Sequence, residues 1–153
     1  MPSIATSPKT LVLFAPATIS ADTNGSDIVI PPGYSGMKVR IKTGTATGTS
    51  PTLNVYVQEP ITDIASSDTA PNPTSGTVVY DDFISFTQIT ASTQTREARV
   101  QAGSNVEAAV TSGSLTAGTV KNGPLPDKLR IRWDVGGTSP NFGTCSAIVK
   151  LYP

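Results

Sequence analysis

Alternation with a period of two constrains this chain more than any other feature. Met37-Lys38-Val39-Arg40-Ile41-Lys42 puts Met37, Val39 and Ile41 on one side and Lys38, Arg40 and Lys42 on the other, without an error. Leu53-Asn54-Val55-Tyr56-Val57-Gln58 and Lys128-Leu129-Arg130-Ile131-Arg132-Trp133 do the same. Helical periodicity is nowhere comparable: Glu97 to Ala102 has the composition of a helical turn, but Gly103 cuts it short among β-rich neighbours. The 22 Thr and 16 Ser, with 13 Gly and 13 Pro, supply strand formers and turn punctuation. A chain of 153 residues holds one domain and is too short for two of ordinary size. The expected fold is all-β: a single β-sandwich with jelly-roll or Greek-key connections and about eight antiparallel strands.

Residues 1–9, rich in Ser, Thr and Pro with Ile4 as their large apolar side chain, read as an extended N-terminal arm, and 10–153 as the sandwich domain. Strands are expected at Thr10 to Phe14, stopped by Pro16, and at Asp27 to Ile30, stopped by Pro31-Pro32. Met37 to Lys42 and Leu53 to Gln58 are expected to form a long hairpin across Gly48-Thr49-Ser50-Pro51. Ile61 to Gly76 reads as a long surface loop. Thr77 to Tyr80 and Phe83 to Ile89 are strand candidates on either side of an Asp81-Asp82 break, and Arg96 to Val100 and Val106 to Val110 are weaker ones. Lys128 to Trp133 and Ser146 to Leu151 complete the set, with Trp133 in phase with Leu129 and Ile131 and therefore expected in the core.

The chain has no His, which removes the Ser-His-acid triad, the Cys-His dyad and every zinc site that needs imidazole. Asp81-Asp82 is an acidic pair, but neighbours on an extended chain point to opposite faces. Glu97, Glu107 and Asp134 are dispersed, and a glycosidase pair of carboxylates meets only in the fold. No calcium loop or phosphate loop is present. The expectation is a protein that is not an enzyme, with no cofactor and no metal. Cys145, the single cysteine, cannot form an intramolecular disulfide and reads as a packed residue compatible with a reducing compartment. The N-terminal sequence lacks the basic start and apolar stretch of a signal peptide, and no apolar run approaches the roughly 20 residues of a membrane helix. A soluble protein outside the secretory route, without a membrane partner, is expected.

The most specific feature is an internal repeat. Lys38-Val39-Arg40-Ile41-Lys42 followed by Gly48-Thr49-Ser50-Pro51 recurs as Lys128-Leu129-Arg130-Ile131-Arg132 followed by Gly137-Thr138-Ser139-Pro140. Two copies are too few for a solenoid and suit a sandwich in which each supplies neighbouring strands. A strand ending in Arg-Ile-Arg-Trp, then Gly-Thr-Ser-Pro and a last strand, resembles small virion proteins of tailed bacteriophages, particularly capsid decoration (cement) proteins. The resemblance is firmest over Lys128 to Leu151, repeats over Met37 to Gln58 and extends loosely to Asp82-Phe83-Ile84-Ser85-Phe86. It implies a β-sandwich, a homo-oligomer (often a trimer), and binding to an assembled shell of major capsid protein. A virion protein of this kind is made in the host cytoplasm and ends on the capsid surface. Phe142-Gly143-Thr144-Cys145 departs from the smooth alternation of the family by interrupting the final strand.

Candidate partner-binding residues follow from charge and exposure. Lys38, Arg40, Lys42, Lys128, Arg130 and Arg132 are six of the eleven cations and lie on the outward side of two strands. They read either as solvated, edge-protecting charge or as a docking patch for an acidic surface, formed if the two strands are neighbours. Nucleic acid is the weaker partner, because no stacking aromatics interleave with these cations. Ile4 is the candidate contact of the arm, which is expected to be mobile in the free protein and to tether it to a neighbouring subunit. Two other roles compete with decoration. One is a head–tail connector or tail component. The other is a carbohydrate-binding module, for which 6% aromatic residues leave few stacking platforms.

Overall fold

Two long strands, each apolar on alternate residues, carry the architecture. The computed structural model describes residues 4–64, 76–90, 93–101, 115–121 and 123–153. Its strands are β1 (Lys9–Ile19), β2 (Thr23–Asn24), β3 (Ile28–Val29), β4 (Gly36–Lys42), β5 (Ala46–Ile64), β6 (Gly76–Ser85), β7 (Thr95–Gln101), β8 (Thr119–Val120) and β9 (Lys128–Tyr152). The fold is all-β, a nearly closed antiparallel barrel. The nine strands form one sheet in the order β7-β4-β9-β5-β6-β8, with β1, β2 and β3 added along β9.

β9, 25 residues long, takes different neighbours along its length. Its first part pairs with β5, Leu53 opposite Val135 and Val57 opposite Ile131, while β2 and β3 flank its other edge. Its last part pairs with β4, Met37 opposite Leu151 and Ile41 opposite Ala147, while β1 lies along the other edge. Alternation then directs one apolar face inward from each part. Leu13, Val39, Ile41, Val149 and Leu151 join Leu53, Val55, Ile131, Trp133 and Ile84 in a single buried cluster. Trp133 is 0% exposed, and its ring meets that of Phe14 at 5.3 Å between centroids and 59° between planes.

The expected hairpin does not form, and its failure explains the internal repeat. β4 pairs with β7 and β9 instead of with β5. The first strand of the first copy therefore lies against the last strand of the second copy, and the second strand of the first copy against the first strand of the second. The Gly-Thr-Ser-Pro segments lie within the β5/β9 ladder, with Thr49 opposite Thr138. Their backbones match: φ is 105° at Gly48 and 107° at Gly137, and 49° at Ser50 and 47° at Ser139. Each glycine sits under the other copy's serine carbonyl. A Cβ on Gly48 would lie 2.5 Å from the oxygen of Ser139, and one on Gly137 would lie 2.6 Å from that of Ser50. The two copies thus meet about a local two-fold. Glycine is required there twice over, by positive φ and by the approach of backbone.

Other boundaries also move. β1 continues past Pro16, because shifts in its register between Phe14 and Ala17 take up a residue that has no N–H to donate. β6 runs straight through Asp81-Asp82, with a register shift opposite Val57 and Gln58. β9 runs through Phe142 to Cys145, where Gly143 donates to Thr45 O (2.8 Å) and accepts from Gly44 N (3.1 Å). The segment read as a loop from Ile61 is strand as far as Ile64 and again from Gly76. Residues 65–75, the strand candidate Val106 to Val110 and the first three residues of the arm lie outside the described residues.

Two substitutions test this packing. Gly137→Ala forces a Cβ against Ser50 O in a left-handed backbone, and a loss of about 1–3 kcal/mol, read from the chemical denaturation midpoint, is expected. Trp133→Ala removes a large buried ring and leaves a cavity, for an expected loss of about 3–5 kcal/mol by the same measurement.

Candidate functional site

The six cations singled out in the sequence divide into two groups. Lys38, Arg40 and Lys42 stand on the outer face of β4, whereas Lys128, Arg130 and Arg132 stand on the first part of β9. β4 and β9 are neighbours, but Lys38 to Lys42 lie opposite Lys150 to Ser146. Lys128, Arg130 and Arg132 lie instead opposite Val29, Gln58 and Tyr56. A single patch of all six is not formed.

The β9 arginines are engaged within the fold. Arg130 donates from Nε to Gln58 Oε1 at 2.9 Å, and its guanidinium stacks 3.2 Å from the centroid of the Tyr80 ring. Burial pulls the Arg130 guanidinium below its ordinary pKa. Tyr80 donates to Asp27 Oδ2 at 3.2 Å. Gln58 donates from Nε2 to Asp82 Oδ1 at 2.8 Å, and Asp82 Oδ2 accepts from Leu115 N at 3.0 Å. Asp82 is 0% exposed, so these bonds offset the desolvation of its carboxylate. Asp81 is buried beside it, and the β5 ladder runs on through both residues, Asp82 opposite Gln58 and Asp81 opposite Glu59, where the sequence suggests a break. Arg132 donates from Nε to Asp134 Oδ1 at 2.6 Å, a bond that raises its pKa. Lys128 stays exposed at the start of β9.

On β4 the geometry differs. Antiparallel partners share a face, so the pairings of β7, β4, β9 and β1 set out rows across the sheet. Arg99, Lys38, Lys150 and Thr10 form one row; Glu97, Arg40, Ile148 and Val12 form the next; Thr95, Lys42 and Ser146 form a third. Glu97 is the carboxylate of this face. It forms ion pairs with Arg40 and, at 3.4 Å, with Lys38 Nζ, and Arg40 Nε donates to it at 2.6 Å. That hydrogen bond holds the Glu97 carboxyl below its ordinary pKa. Five cations, Lys38, Arg40, Lys42, Arg99 and Lys150, thus stand against one carboxylate in these rows. Sequence reasoning missed Arg99 and Lys150. Their alternation with Val100 and Leu151 marks them as outward, but only the strand order brings them beside Lys38.

Ile4 is 81% exposed and precedes β1. Cys145 is buried among the core side chains, and burial raises its thiol pKa, which disfavours a nucleophilic thiolate. Among the described residues, no cluster of three or more His, Cys, Asp or Glu is placed to hold a metal ion, and no helix is long and apolar enough to cross a membrane. The chain matches no family model, no curated protein and no solved structure in the comparisons with known proteins.

Glu59 supplies a test of the acidic end of the sheet. It lies opposite Asp81, and its pKa is raised above 4.5 by burial first and by the Asp81 charge second, with Lys121 opposing. A raised folded-state pKa means that the folded chain holds this proton more tightly than the unfolded chain. Glu59 therefore costs stability progressively as pH rises from 4.5 through the raised value, and the full cost applies above it. Glu59→Gln should raise the thermal midpoint at neutral pH, with the advantage shrinking as pH falls through the raised value and vanishing below 4.5. An advantage that persists unchanged at low pH would contradict this electrostatic account.

Proposed function

We propose that this chain is a structural virion protein, a capsid decoration (cement) protein that binds the outer surface of an assembled phage head and stabilises contacts between capsomers. The observation that carries the reading is where the resemblance falls in the fold. Its two parts, Met37 to Gln58 and Lys128 to Leu151, pair with each other and cross at their Gly-Thr-Ser-Pro segments, so the residues behind the resemblance build the centre of the sheet. On this reading the nearly closed sheet is a single β-sandwich of jelly-roll or Greek-key kind. The working unit is a homo-oligomer, with a trimer the state the resemblance implies, and its partner is the major capsid protein. The chain acts without catalysis or a cofactor, on the capsid surface, after synthesis in the host cytoplasm.

The mechanism is thermodynamic. A molecule that binds the assembled lattice and not its dissociated subunits stabilises the lattice by linkage. An oligomer that touches several capsomers at once gains avidity from the second and later contacts. A carbohydrate-binding role has less support, since Trp133, the single Trp, is buried and offers no stacking platform.

Protein stoichiometry in purified virions tests the proposal. Quantitative mass spectrometry should find hundreds of copies of the chain per particle, on the scale of the repeated capsomer lattice. A ring's worth of copies, about a dozen or fewer, would assign it instead to a head–tail connector or tail.

A further inference from the structure

The outer face of β1, β9, β4 and β7 carries a cost that the fold alone does not explain. Like charges directly opposite each other destabilise a sheet, yet Arg99, Lys38 and Lys150 are cross-strand neighbours. Glu97 is drawn to Lys38 and Arg40 and leaves Lys42, Arg99 and Lys150 without a carboxylate in these rows. Beside them lie two apolar side chains that are also opposite each other, Val12 at 60% exposure and Ile148 at 36%. At the end of the first row an open cleft of about 460 Å³ lies between Arg99, Met37 and Tyr152.

We propose that this face is the docking surface, and that its occupant is an acidic protein surface of the capsid shell; the proposal rests on the decoration reading above. Among the described residues of these rows cations outnumber carboxylates five to one, which calls for an anionic partner. The apolar pair decides which kind, because an exposed apolar pair at the β1 side of the face, next to Arg40 and Lys150, gains from burial against a protein surface, whereas Val12 and Ile148 gain nothing from phosphates. The cations draw the partner in from solution and fix its orientation, and burial of the Val12/Ile148 pair with a side chain in the cleft holds it. Arg130 and Arg132, already engaged by Gln58, Tyr80 and Asp134, take no part.

Co-sedimentation with purified heads stripped of the chain tests the proposal. Lys38→Glu with Lys150→Glu should weaken apparent affinity about tenfold or more, and affinity of the unmodified chain should fall as salt rises. The charge-keeping pair Lys38→Arg with Lys150→Arg should bind as the unmodified chain does. Lys128→Glu, an exposed cation outside the face, should also leave binding unchanged. Val12→Thr, which leaves every charge and the β-branched shape in place, should weaken binding while leaving the thermal midpoint nearly unchanged. Should the unmodified chain bind heads while the Glu pair binds equally well, or should Lys128→Glu lose as much, the docking face is wrong and the decoration reading stands. Failure of the unmodified chain to bind heads overturns both. Tight binding of a DNA duplex, or self-association in the absence of heads, that is abolished by the Glu pair would overturn the acidic shell surface in favour of nucleic acid or a second copy.

Discussion

The structure depends on the place where the two Gly-Thr-Ser-Pro segments meet. Gly48 and Gly137 each lie so close to a serine carbonyl of the other copy that any side chain there would overlap it. This reciprocal approach lets β5 and β9 run side by side through a segment that would otherwise turn each chain back on itself. Without it, each copy would be free to close as its own hairpin. With it, the copies exchange partners, and the long strands carry one apolar lining from β4 and β1 through to β5 and β6.

The exchange of partners also sorts the charges. Were the copies separate hairpins, the cations of β4 would face the polar side chains of β5. Instead β4 lies between the end of β9 and β7, and Lys150 and Arg99 come to stand on either side of Lys38. The arginines of the second copy meet the other part of the sheet, where Gln58, Tyr80 and Asp134 take up their donors. Two stretches of the same alternating pattern thus differ in role: the cations of one are held by hydrogen bonds and ring stacking within the fold, and those of the other present charge to whatever lies outside.

Along Met37 to Lys42 and Lys128 to Trp133 the face of each side chain was legible in the sequence, and the strand beside it was not; Tyr56 and Gln58, on the polar side of their strand, are buried. Alternation places Trp133, Ile131 and Leu129 inward and Lys38, Arg40 and Lys42 outward, as observed, because the period of a strand is local. Pairing is decided by which ladder closes at least cost across long stretches of chain, and the hairpin between Met37 and Gln58 failed on that ground. The repeat itself was visible, but its meaning was hidden: Gly-Thr-Ser-Pro suits a turn, and only the approach of a second copy shows why glycine recurs. Asp81-Asp82 misled in the same way. Two carboxylates read as a break until Gln58 and Leu115 N are seen to satisfy Asp82 in the interior. The candidate face was legible for Lys38, Arg40 and Lys42, while Arg99 and Lys150 joined it through strand order alone.

The central claim is that the two copies pair with each other, and nuclear Overhauser contacts across the sheet in solution test it most directly. Cross-strand contacts are expected between the backbones of Val39 and Val149, of Leu53 and Val135, and of Thr49 and Thr138. Contacts running instead from β4 to β5, with Val39 near Val55 or Val57 along a shared ladder, would return the copies to separate hairpins and remove the basis for the cationic face.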